Sequence, residues 1–262
     1  MKHIFLVGAT ILGLSGPVAA ADIAVADLPV APRSYYANRA AEYSWSGFYF
    51  GVNGGYGLGN SDWSDPNNPS GANTTGNFHI SGPVVGGTIG GNFQFGQVVL
   101  GAEADFDYSQ LKGTTSPANG FCALTTASFA MSTSCESENT WMATVRARIG
   151  YAFYRTLVYG TGGLAVGGIR AGVTGPGITP TFDSTTEPGW TAGGGLELAL
   201  SNHWTVRAEY LYISLSHGAC TSANCGYDGL NPATFALIPA ADTVKFSTSL
   251  VRLGVDYKFS WE

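Results

Sequence analysis

"TVRARIGYAFYRTLVYGTGGLAVGGIRAG", residues 144–172, sets Arg146 and Arg148 inside one of the most apolar, glycine-laden stretches of the chain. Read from Trp141, the segment alternates. Trp141, Ala143, Val145, Ala147, Ile149, Tyr151 and Phe153 share one face, while Met142, Thr144, Arg146, Arg148, Gly150 and Ala152 share the other. Successive side chains of a strand point to opposite sides, so this is a strand with one apolar face and one charged face. Tyr154-Arg155 then reads as a tight turn into a second strand. Glycines 160, 162, 163, 167 and 168 would let that strand bend and accept bulky neighbours; the pattern does not assign them a face.

The same alternation recurs along the chain. Val98, Leu100, Ala102, Ala104, Phe106 and Tyr108 oppose Glu103, Asp105 and Asp107; Trp204, Val206, Ala208, Tyr210 and Tyr212 oppose Arg207 and Glu209. Near the C-terminus, Val251, Leu253, Val255, Tyr257 and Phe259 oppose Arg252, Gly254, Asp256 and Lys258. Residues 45–58, 82–95, 156–169 and 188–200 fit less sharply, and each is long enough to cross a bilayer as a tilted strand, which takes roughly 9 to 11 residues. That makes eight strands. Gly96-Gln97, Tyr154-Arg155 and Ser201-Asn202 are tight joints, whereas the other connections run from about 60 to 81, 109 to 138, 171 to 187 and 217 to 245. Aromatics sort to the strand ends. Trp45, Phe95, Phe153, Tyr154, Trp204, Tyr257, Phe259 and Trp261 are expected near the short-turn end, with Tyr56, Tyr108, Trp141, Trp190 and Tyr212 near the long-loop end, as two headgroup zones would favour. The expected fold is all-β: an eight-stranded antiparallel up-and-down transmembrane β-barrel.

Composition agrees with a membrane setting. Only 11% of the 262 residues are charged, against about 25% in soluble domains. A soluble β-sandwich also alternates, but it would bury its apolar face and needs a wetter exterior than this chain supplies. The net charge of −6 offers no basic face for nucleic acid. Residues 1–20 read as a secretory signal: Lys2, an apolar core from Ile4 to Leu14, and Val18-Ala19-Ala20 before an expected cleavage. Residues 21–44, rich in Ala and Pro, read as a flexible periplasmic lead-in, and 45–262 as the barrel.

The segments Trp45-Ser-Gly-Phe-Tyr-Phe-Gly51, Val99-Leu-Gly-Ala-Glu-Ala-Asp-Phe106, Thr144-Val-Arg-Ala-Arg-Ile-Gly-Tyr151, Tyr159-Gly-Thr-Gly-Gly-Leu-Ala165, Gly189-Trp-Thr-Ala-Gly-Gly-Gly-Leu-Glu197 and Trp204-Thr-Val-Arg-Ala-Glu-Tyr-Leu-Tyr212 together resemble the porin-like small outer-membrane barrels of alphaproteobacteria, relatives of opacity and OmpA-type barrels. The resemblance implies an outer-membrane surface protein with roles in envelope integrity and host contact, sometimes described as a porin. It also implies a C-terminal signal for the barrel-assembly machinery, filled here by Arg252, Gly254, Tyr257 and Phe259, although the chain runs on through Ser260-Trp261-Glu262.

Eight strands close into a cylinder just wide enough to be filled by side chains. The inward charges, Glu103, Asp105, Asp107, Arg146, Arg148, Glu197, Arg207, Glu209, Arg252 and Asp256, are expected to pair across it. They would form either a polar plug that fixes the barrel or a narrow hydrated path that selects small ions or solutes. Cys122 with Cys135 and Cys220 with Cys225 are expected as two disulfides, each closing an exposed loop. A metal held by Cys220, Cys225 and His217 lacks a further ligand at usual spacing, so no metal or cofactor is expected. Gly160-Thr-Gly162-Gly163 mimics a dinucleotide fingerprint without the helix that makes it work. Scattered Ser214, Ser216, His217 and His79 show no orienting acid, so no enzyme is expected. The expected partners are outer-membrane lipid, the assembly machinery, and host or surface ligands met by the long loops; the sequence does not fix an oligomeric state.

Overall fold

The computed structural model describes residues 43–65, 74–116, 122, 124–126, 129–131, 133–175, 181–220, 227–230, 237–239 and 242–259. The expected signal, residues 21–42 of the lead-in, Cys225 and Trp261 lie outside the described residues, as do the side chains of His217 and Cys220.

Twelve strands occur among the described residues, in chain order: β1 (Gly47–Ser64), β2 (Phe78–Phe95), β3 (Val98–Thr115), β4 (Leu124–Thr126), β5 (Phe129–Met131), β6 (Ser134–Phe153), β7 (Thr156–Thr174), β8 (Thr181–Ala199), β9 (Trp204–Cys220), β10 (Tyr227–Leu230), β11 (Leu237–Pro239) and β12 (Asp242–Phe259). Eight of them close a barrel in the order β1-β12-β9-β8-β7-β6-β3-β2, while β4-β5 and β10-β11 are two-stranded sheets in the connections. Each barrel strand pairs antiparallel with its neighbours in the ring, and β1 meets β12 to close it, Phe48 opposite Phe259 and Ser64 opposite Thr243. At two of the tight turns Gly96 (φ 62°) and Tyr154 (φ 53°) take the left-handed conformation that a two-residue hairpin demands.

The strands are longer than the sequence pattern suggests. They run from 17 to 20 residues, so the long connections begin later and end earlier than expected. At ~3.3 Å per residue and ~40° of tilt, such a wall stands ~45 Å tall, well above the ~25 Å apolar band of an outer-membrane barrel. The reason lies in a swap of chemistry along the strands, plainest on β12. On β12, Val251, Leu253 and Val255 face outward and Arg252 and Asp256 inward; above them Lys245, Ser247 and Ser249 face outward and Val244, Phe246 and Leu250 inward. On β12 the period of two holds throughout, but the apolar face moves from outside to inside; on β6 a bulge between Asn139 and Trp141 shifts the alternation by one. A search for lipid-facing strands therefore stops at the aromatic row and misses the upper storey.

Three layers fill the interior. At the short-turn end Tyr43, Trp45, Val99, Ala152, Leu157 and Ala199 form an apolar floor. A charged belt follows. Above it Trp63, Ile80, Leu111, Leu211, Ile213 and Phe246 belong to a larger apolar core, tied across the barrel by Trp63 Nε1 and Ser61 Oγ on Ser137 Oγ at 2.8 and 2.9 Å. Trp45 is thus a correction: it is 1% exposed and inside the mouth, not in the lipid girdle. It shares the parity of the inward Tyr49, and Gly47, at φ 141°, turns the chain there. Phe95, Phe153, Tyr154, Trp204 and Phe259 do face outward at the short-turn end, and Tyr56, Tyr108 and Trp190 at the other. Trp141 and Tyr212 are half-buried in that second row, against Phe106 at 6.0 Å and Trp190 at 5.4 Å.

The wall has one notch among the described residues. The β8-β9 ladder stops at Gly189 opposite Leu215, although β8 continues beside β7 and β9 beside β12. Pro188, the next residue, has no N–H to contribute.

Candidate functional site: the ionic belt of the barrel

Alternation alone sends the belt residues inward, because each sits between two outward neighbours on its strand. All ten charges named from the sequence occur in one connected network. Arg146 on β6 lies 2.5 Å from Glu103, 2.7 Å from Asp105 and 3.2 Å from Glu209. Arg252 on β12 lies 2.6 Å from both Asp105 and Glu209 and 3.0 Å from Asp107. Arg207 on β9 reaches Glu103 at 3.1 Å and Asp256 at 3.3 Å. Arg148 pairs with Glu197 at 3.1 Å and lies 3.5 Å from Glu103. Glu103 on β3 is four strands from β9 either way around the ring, so the Arg207 contact spans the full lumen.

Every one of these side chains is buried. Removing charges from water is costly, and the cost is met only where each is paired and hydrogen-bonded. Asp105 shows how fully: besides two guanidiniums it accepts from Thr88 Oγ1 at 2.8 Å and Thr144 Oγ1 at 2.7 Å. Six carboxylates face four guanidiniums in the belt, so hydroxyl donors matter. Tyr49 OH donates to Glu103 at 2.8 Å, and Tyr159 OH to Glu209 at 2.8 Å. Arg148 donates to Tyr49 OH at 2.8 Å, and its guanidinium carbon lies 3.9 Å from the Tyr159 ring centroid. Neither tyrosine carries a formal charge that would mark it in the sequence, and nor do Thr88 and Asn53. Their signal is parity: Tyr49 sits between the outward Phe48 and Phe50, and Tyr159 between the outward Val158 and Gly160.

Close approach in the belt depends on glycine. A Cβ on Gly51 would lie 1.9 Å from Asp256 Oδ1, and one on Gly86 would lie 2.0 Å from Asp107 Oδ1. Of the glycines in the opening stretch, Gly163 lies inward beside Arg146, while a Cβ on the outward Gly160 or Gly162 would meet nothing closer than 3.9 and 3.6 Å.

Cys122 and Cys135 form a disulfide. It closes the connection that carries β4 and β5, and both cysteines are buried in the upper apolar core, with Thr133 Oγ1 donating to the Cys122 carbonyl. A bulge at Thr140, where the β6-β7 ladder steps from Asn139 to Trp141, shifts the alternation by one, so Cys135 turns inward although it shares the parity of the outward Val145. The pairing of Cys220 with Cys225 falls outside the described residues. Of the residues resembling the assembly signal, Arg252 and Gly254 lie in the lumen wall, and Tyr257 and Phe259 face outward against Phe50 at 5.9 and 5.7 Å. His79 and Ser216 are exposed, and Ser214 lies half-buried on the outward face.

Beneath the belt, Tyr43 and Trp45 meet edge to face at 4.8 Å. Burial pushes the Tyr43 phenol up to about 12, with Glu197 acting in the same direction and Arg155 against it.

Residues 34–259 match the family model described as an outer membrane protein beta-barrel domain. The chain is 34% identical over 250 residues to the 31 kDa outer-membrane immunogenic protein of Brucella melitensis, with 92% of each covered. It is 30% identical over 263 residues to the 25 kDa outer-membrane immunogenic protein of Brucella canis, with 99% of each covered. Among solved structures, the outer membrane protein OprG of Pseudomonas aeruginosa aligns over 84% of this chain and 99% of its own, at 12% identity and a TM-score of 0.48.

Proposed function

Because the chain belongs to the outer-membrane β-barrel family and so resides in the outer membrane, we propose that it works there as a closed, non-enzymatic barrel that strengthens the envelope and carries a surface for contact with host or other external ligands. One observation carries this reading: the lumen charges are consumed by one another. Glu103, Arg146 and Arg252 have fully buried or nearly fully buried side chains, each shared among several partners. An ion path needs charges that water and solute can reach, with binding weak enough to release. Here apolar layers lie above and below the belt. Outer-membrane lipid meets the outward apolar faces, and the assembly machinery would read the alternate outward aromatics at the end of β12, Tyr257 and Phe259.

The upper storey supports the surface role. Its outward residues are polar, as in the Arg170–Glu138 pair at 3.3 Å, and it lifts the long connections clear of the lipid. The names of the Brucella relatives record immunogenic proteins, which suits a chain displayed at the cell surface. Planar-bilayer recording of the purified, folded protein tests the closed-barrel reading: no stable openings are expected, and steady openings of sizeable conductance would replace it with the channel.

A further inference from the structure

Residues 43–46, just ahead of β1, form a distinct device. Tyr43 and Trp45 fill the short-turn mouth of the barrel, yet they belong to no strand. Few bonds hold them. Trp45 N donates to Gln94 Oε1 at 2.7 Å, and Gln94 N donates to Ser46 Oγ at 2.9 Å. Lys258 Nζ donates to the Ser44 carbonyl and sits 4.0 Å from the Tyr43 ring centroid. Meanwhile Tyr43 OH and Trp45 Nε1 are buried without a hydrogen-bond partner among the described residues. A buried donor without a partner opposes the burial of its ring, so the two aromatics are held inward less firmly than their contact area suggests. Gly47, at φ 141°, supplies the pivot, in a conformation that side chains rarely adopt.

We propose that residues 43–46 are a withdrawable stopper: swinging out about Gly47, they admit water and small hydrophilic solutes from the periplasm to the ionic belt, on that side only. The upper apolar core keeps the other side shut, so withdrawal hydrates the belt without opening a channel. What lies directly above the stopper fits this. Tyr159 belongs to the same floor and also touches Arg148 and Glu209, so the first polar groups met from below are those of the belt itself. Lys258, which grips the stopper, is next to the last residue of β12, so the same contact also pins the seam where β1 and β12 close the barrel.

The proposal rests on the closed-barrel reading, but conductance reports on both ends together, whereas access from one end can be read alone. Two cysteine reporters, introduced one at a time, serve: Ala152→Cys in the floor and Ala165→Cys in the upper core, both at buried small residues. The folded protein in detergent is treated with a small, permanently charged methanethiosulfonate, and labelling is followed site by site by mass spectrometry. Labelling at 152 is expected to be slow in the parent and about tenfold faster or more with Trp45→Ala, which removes the stopper, or with Gly47→Ala, which disfavours the φ of 141° at which Gly47 holds the stopper inward. Labelling at 165 is expected to stay slow throughout. Equal rates at 152 with and without these changes would overturn the stopper. So would acceleration at both reporters together, because that reports a loosened barrel.

Discussion

Arg252 illustrates what one residue holds in place. Its guanidinium contacts Asp105, Asp107 and Glu209, three carboxylates from two strands. Arg252→Ala leaves all three short of a partner in a buried site, and breaking such a network costs about 3–5 kcal/mol. A matching drop in stability is expected in urea titrations followed by the heat-modifiable gel shift. Arg252→Lys should recover little of it, since an ammonium cannot reproduce the three-way geometry of a planar guanidinium. Glycine matters at the same scale. Gly51→Val would drive a methyl group into Asp256, whereas Gly160→Ala meets nothing closer than the Gly193 carbonyl at 3.9 Å. The first is expected to abolish or slow folding into detergent, and the second to fold like the parent.

Each strand carries two environments, and the same substitution should read them apart. Leu196 on β8 faces outward, midway between Leu200 at the turn and Trp190 at the aromatic row. Leu196→Arg puts a charge near the middle of the lipid band, where the cost is about 2–4 kcal/mol. Ser184 faces outward on the same strand but above that row. Ser184→Arg is expected to leave stability within about 0.5 kcal/mol of the parent, as surface changes usually do. If both cost the same in unfolding titrations, the boundary between lipid-facing and water-facing halves of β8 is misplaced. The notch beyond Gly189 belongs to this scale as well: it begins where a proline adjoins the last β8-β9 rung, an arrangement that a pattern of alternating polarity cannot reveal.

The barrel as a whole has two storeys, one turned inside out relative to the other. The lower half buries charge and exposes hydrocarbon; the upper half buries hydrocarbon and exposes polar groups. The Cys122–Cys135 disulfide is part of the upper core only. Cys135→Ala is therefore expected to raise amide exchange in β6 ahead of Met142 and in the facing end of β7, while leaving exchange in the belt half of both strands unchanged. A uniform rise along both strands would contradict the division into storeys. Parity announces much of this in advance, since a strand gives each residue a side regardless of its neighbours in space. From it come the eight strands, the closed ring and the inward direction of all ten belt charges. What parity cannot supply is distance across the lumen. Which arginine meets which carboxylate, that Tyr49 and Tyr159 complete the network, that Trp45 turns into the mouth, and that a loop disulfide enters a core all depend on groups far apart in sequence being brought together by ring closure. Within a regular run of strand the side that a residue faces is local backbone geometry and legible in the chain alone, whereas the bulge between Asn139 and Trp141 and the entry at Trp45 are not. What the residue touches there exists only in the closed barrel, where stagger, tilt and the room that glycines leave set every contact.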